Sequence, residues 1–169
     1  MEERLPLCYP GTMPDDLYER DILTWSEHQA DLLRRVARGE RVNNVDWAHV
    51  VEEIEDVGLS ELNAVNSHLR LMLLHLLKLA SWPDNSAVRH WREEVAGFQA
   101  EAVQRFAPSM RQRIELDRLQ ALALKQLQAA DYGRSPPAWP GACVFTLDQL
   151  LNDDVAKMEG HLTTAIPAP

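Results

Sequence analysis

Apolar residues recur along most of this chain at intervals of three and four, the period of one face of an α-helix. From Leu17 the series runs Tyr18, Ile22, Trp25, Leu32, Leu33 and Val36. That pattern predicts a first helix, capped by Asp15 or Asp16 and closed by Gly39 after Arg34, Arg35 and Arg38. A second series begins at Trp47 and passes through Val50, Ile54 and Val57, then Leu62, Val65, Leu69, Met72, Leu76 and Leu79. Asp46 is its predicted cap, and Val45 can staple to Val50 across it. Gly58 falls inside this series, where a glycine costs about 1 kcal/mol against alanine. It is either a packing notch or a break, with Ser60 available to cap a fresh helix. The pattern favours one continuous or slightly bent helix ending before Pro83.

A third stripe, Trp91, Val95, Phe98, Ala102 and Phe106, follows Asn85 and Ser86. Pro108 opens a fourth helix at a position that tolerates proline. Its apolar face is Leu116, Leu119, Ala123, Leu127 and Ala130, and Gly133 ends it. Residues 133–141 form a proline-rich loop, ordered or semi-rigid. The string TLDQ then opens a short fifth helix, with Thr146 as cap, Gln149 as its reciprocal partner and Phe145 stapling to Leu150. No strand-like alternation of any length occurs. The expectation is an all-α, up-and-down bundle of about four long helices plus a short C-terminal one. An arm over residues 1–14 precedes a single domain over 15–158, and a loose tail fills 159–169.

Composition narrows the function classes. The chain has 169 residues, 46% hydrophobic and 25% charged, with a net charge of −9. That balance is globular, and it disfavours a nucleic-acid binder, which must neutralise phosphates with Lys and Arg. Arg34, Arg35, Arg38 and Arg41 sit where cations complement a helix C-terminus. The most apolar run, 69–80, is about half the ~20 residues of a membrane span, and Arg70, His75 and Lys78 interrupt it. It predicts a buried core helix and no membrane partner. The two cysteines, Cys8 and Cys143, have no paired-thiol or zinc spacing. The start of the chain lacks a signal-peptide pattern. Both features predict a cytoplasmic protein with free thiols, and Cys143 is read as a packing residue.

The polar positions are tested by rotation about the predicted helices. Four acids, Glu52, Glu53, Glu55 and Asp56, lie within five residues. With Ile54 taken as the centre of the buried stripe, Glu52 and Asp56 point to solvent, and Glu53 and Glu55 fall near its two edges. Glu53 is then the acid that can reach an interior. His68 and His75 share a face, but seven residues rise about 10.5 Å, so they cannot chelate one ion. No Glu-x-x-His or His-Glu-x-x-His string occurs, and the expectation is no metal and no cofactor. His90 with Glu93 or Glu94 reads as a surface pair. His75 reads as a half-buried histidine with one nitrogen bonded to a neighbour. Asp21, between Tyr18 and Trp25, lies on the packed face of the first helix and needs a partner there. His75, Arg92 or a tryptophan N–H is the expected one.

The strings YERDILTW, DWAHVVEEIEDVG, LLHLLK, the Trp of HWREEV and the late FTLDQLL occur in the order of a bacterial family that the chain resembles over about residues 17–152. It is the one catalogued as domain of unknown function family 29. The resemblance implies an all-helical bacterial protein, with no activity, substrate or cofactor attached. It maps the family's recurrent positions onto Tyr18, Asp21, Trp25, Asp46, Glu53, Ile54, Glu55, Gly58, His75, Lys78 and Trp91. The stretch LASWPDNSAVRH departs from the aromatic-rich, basic segment common there, so no role that needs positive charge carries over.

Two functional expectations follow. One is a structural or interaction module that docks a protein partner or a second copy. The other is a bundle whose interior cluster of Asp21, Glu53 and His75, with Tyr18, Trp25 and Trp91 around it, binds a small ligand or metal, in the manner of an enzyme.

Overall fold

The computed structural model describes residues 17–165. The predicted arm with Cys8, the caps at Asp15 and Asp16 and the last four residues lie outside the described residues. Every regular element described is helical: α1 (Leu17–Arg20), α2 (Ile22–Ala37), α3 (Trp47–Ser81), α4 (Val88–Arg105), a 3-10 turn (Pro108–Arg113), α5 (Leu116–Gln128), α6 (Leu147–Asn152) and α7 (Val155–Ala165). The chain divides into two compact units, one ending at Val57 and the other beginning at Gly58.

In the first unit, the predicted first helix is interrupted. Asp21 adopts φ −153° and ψ 77°, which separates α1 from α2, and its side chain accepts a bond from the Thr24 amide. A short acidic side chain competes with the helix for backbone donors and so favours a cap over a helix interior. Trp25, Gln29 and Leu32 are the buried residues of α2. Gly39 takes φ +81°, the left-handed conformation that suits glycine after a helix C-terminus.

Helix α3 is unbroken through Gly58, as its apolar period predicts. Gly58 is no packing notch, since a Cβ there would meet nothing within 4 Å. Trp47, Ile54 and Val57, predicted to be buried, are 56%, 68% and 68% exposed. The reason is the direction from which α1 and α2 approach: they meet Asp46, just before α3, and the side of α3 that carries His49 and Glu53.

The second unit holds the main core. Met72, Leu73, Leu74, His75, Leu76 and Leu77 are six consecutive buried residues of α3, so the helix is covered all round. Trp91, Val95 and Ala102 of α4, Leu119, Ala123 and Leu127 of α5, Leu150 of α6, and Met158 and Leu162 of α7 complete that core. The predicted fourth helix differs at its start: Pro108 opens a 3-10 turn, Ile114 is extended, and the α-helix begins only at Leu116. The capping box at Thr146 and Gln149 is formed in both directions. The tail expected to be loose from residue 159 is helical as far as Ala165, because Leu162 is fully buried.

The proline-rich segment between α5 and α6 has no helix of its own, and polar ties hold it. The fully buried Gln120 donates to the carbonyls of Pro140 and Ala142 and accepts from the Val144 amide. Trp82 donates to the Arg134 carbonyl, and Arg134 donates back to the Ser81 carbonyl. A buried amide side chain can replace the missing backbone ladder in this way. Cys143 lies in this segment, and burial pushes its thiol pKa up, consistent with a packing role.

Candidate functional site

A polar network lies in the first unit, where α1 and α2 meet the start of α3. Asp46 precedes α3 and accepts a long bond of 3.4 Å from the His49 amide. Its other carboxylate oxygen takes the His49 ring Nδ1 at 2.7 Å and the Trp25 indole N–H at 3.2 Å. The Asp46 amide donates to Oε1 of Gln29, a residue only 2% exposed. One loop residue thus satisfies three partners on two helices.

Tyr18 closes the network. Its hydroxyl donates to Glu53 Oε1 at 2.7 Å. Its ring stacks on His49 with centroids 4.0 Å apart and planes 19° from parallel. The Trp25 ring meets Tyr18 edge-on at 4.9 Å. Such pairs add to the stabilisation from burial alone.

Each shifted group has an identifiable cause. Burial raises the Asp46 pKa, but the hydrogen bonds from His49 and Trp25 outweigh it and hold the carboxyl below its ordinary range. The bond to Asp46 lifts the His49 pKa. The bond to Glu53 pushes the Tyr18 phenol up to about 12, with burial and the negative charge adding to it. The carboxylate fixes the proton of neutral His49 on Nδ1, so Nε2 is the imidazole's available acceptor. The arrangement can therefore hold α2 to α3 and present one oriented ring nitrogen.

The predicted cluster is distributed over both units. Tyr18, Trp25 and Glu53 belong to the network just described. Asp21 does not lie on a packed face. It is exposed, and both its carboxylate oxygens bind Thr24, whose backbone and side-chain bonds lower its pKa. The tryptophan N–H expected at Asp21 goes to Asp46 instead.

His75 and Trp91 belong to the second unit. His75 donates from Nδ1 to the Leu71 carbonyl at 2.9 Å, and its Nε2 lies 3.5 Å from Glu94. Burial lowers its pKa, the nearby Lys78 cation lowers it further, and the Leu71 and Glu94 oxygens oppose this. Trp91 is buried, with the Lys78 ammonium 5.9 Å from its ring centre and Tyr132 edge-on at 5.2 Å. His90 and Glu94 form the expected exposed i, i+4 pair, at 3.8 Å. Among the described residues, no three His, Cys, Asp or Glu side chains converge as a metal site would require.

Sequence reasoning missed His49 and Gln29. The signal for His49 was its place three residues after a helix cap, where a side chain can fold back onto the cap. Gln29 carried no such signal, since only the packing of α2 brings it to the Asp46 amide.

These helices define a class: an all-α protein whose first unit is held by a polar and aromatic network and whose second has a conventional apolar core. Within that class, the chain belongs to the family described as "Domain of unknown function DUF29", whose model matches residues 17–156. It is also similar to a solved alpha-helical protein of unknown function from Rhodospirillum rubrum, with 28% identity and a TM-score of 0.68. That match covers 89% of this chain and 98% of the other. No curated protein sequence matches the chain. Among the described residues, no helix is long and apolar enough to cross a membrane.

Proposed function

We propose that this chain is a protein-docking module, with the first half of α3 as its recognition surface and a cationic amphipathic helix as its partner. The observation that carries this reading is the exposure of Trp47, Val51, Ile54 and Val57, at 56%, 51%, 68% and 68%. Trp47, Val51 and Ile54 follow one another at i, i+4 and i+7, so they form one line along the helix. A contiguous apolar line rimmed by polar residues marks an interaction site more often than scattered apolar side chains do. Helix-in-groove recognition uses anchors at this spacing.

The rim selects the partner. Glu55 flanks the line, Glu52 and Asp56 add negative charge further round the helix, and none of the three forms an ion pair among the described residues. A second copy docked here would set these acids against their equivalents. A helix with Lys and Arg beside its own apolar stripe would meet them with opposite charge.

The test uses two designed helical peptides with the same apolar stripe, one flanked by lysines and the other by glutamates. The lysine peptide should bind and change tryptophan emission, and the glutamate peptide should not. Ile54→Asp should abolish binding while leaving the far-ultraviolet circular dichroism unchanged. Equal binding of both peptides, or of neither, would overturn the reading. A dimer of the protein that Ile54→Asp dissociates would replace it with self-association.

A further inference from the structure

In the second unit, α3 and the segment leading into α5 enclose a groove of about 290 Å³ whose charge opposes that of the whole chain. Arg70, Arg113 and Arg118 line it together with Asn66, and Glu115 is its one carboxylate. The chain carries a net charge of −9, and most of its other described arginines have an acidic partner. Arg35 and Arg38 pair with Glu40, Arg92 with Glu159, Arg105 with Glu61 and Arg111 with Asp148. Among the described residues, Arg113 and Arg118 form neither an ion pair nor a side-chain hydrogen bond. Arg70 is aimed by a bond to the uncharged Gln126 amide, which leaves its charge unneutralised.

One further feature bears on what would fill the groove. Glu115 stands immediately before α5 and makes no capping bond, so its carboxylate is available as an acceptor. Three guanidinium groups call for a multiply charged oxyanion, for which arginine geometry is well suited. An acceptor beside them calls for a hydroxyl donor on the same molecule. Leu122, 44% exposed, supplies an apolar wall for a ring face.

We propose that this groove is a binding site for a hydroxylated phosphate monoester the size of a pentose phosphate. The arginines hold the phosphate, and Glu115 accepts from a sugar hydroxyl. A volume near the lower end of ligand sites, roughly 300–1,000 Å³, suits such a molecule and excludes a dinucleotide.

Calorimetric titration of the full chain at low salt tests this, with ribose 5-phosphate, inorganic phosphate and ribose as probes. Ribose 5-phosphate should bind about fivefold or more tightly than inorganic phosphate, and ribose should not bind. The double variant R113Q/R118Q, altered at two exposed positions, should lose about tenfold or more in affinity with its urea midpoint unchanged. Glu115→Ala should narrow the preference for ribose 5-phosphate over phosphate. The proposal is overturned by no binding of ribose 5-phosphate at about 10 mM. Equal affinity for it and for phosphate, or undiminished binding by the double variant, would overturn it too.

Discussion

Replacing Ile54 with alanine tests whether the orientation of α3 in the first unit is as described. Helical periodicity assigns Ile54 to the centre of a buried stripe, and truncating a buried isoleucine costs about 2–5 kcal/mol. The structure leaves Ile54 68% exposed, so only about a third of its surface is removed from water. Full burial of such a side chain is worth about 1.5–3 kcal/mol, and a third of that is below about 1 kcal/mol. Alanine is also the better helix former by a few tenths of a kcal/mol. The expected net change is therefore within about 0.5 kcal/mol of zero. Val50, one turn earlier and only 7% exposed, is the internal control. Val50→Ala should cost about 2 kcal/mol. Both variants belong in the same urea titration, followed by tryptophan fluorescence, because Trp25 of the same unit is 4% exposed and reports its packing. A loss above about 2 kcal/mol for Ile54→Ala, with Val50→Ala near neutral, would show that the apolar face and not the polar one is packed.

Gln120→Leu should destabilise the second unit by about 2–4 kcal/mol, because two carbonyls and one amide of the 140–144 segment lose their partner. Thermal unfolding measures this, and a near-neutral result would mean that the segment holds itself. Tyr18 should ionise near 12 instead of at the ordinary 10.0, as a separate step in tyrosinate absorbance. Its folded form retains the proton over that interval, so this contribution to stability is complete below pH 10.0 and is lost as pH rises through about 12. Glu53→Gln should bring the step down towards 10.0, and a step that stays near 12 in this variant would remove Glu53 as its cause.

The sequence by itself determined the helices wherever local energetics decide. The stripe Trp91, Val95, Phe98 and Ala102 became the packed face of α4. Thr146 and Gln149 formed their capping box, and α3 ran through Gly58, since one glycine costs too little to break so long an apolar helix. Family membership was also legible, because its strings survive as local patterns. What only the tertiary structure decided is which side of α3 is covered in the first unit. Periodicity shows that residues share a face, but it cannot show whether a neighbour lies against that face. Here α1 and α2 pack through Tyr18, Trp25 and Gln29 onto Asp46, His49 and Glu53, and hydrogen bonds and ring stacking satisfy the polar groups so enclosed. Ile54 and Trp47 are left outside. Glu53 thus meets a partner, as an acid near an interior should, and Asp21 serves as a helix cap. The difference is one of approach direction, which arises between elements distant in sequence and is written in no single one of them.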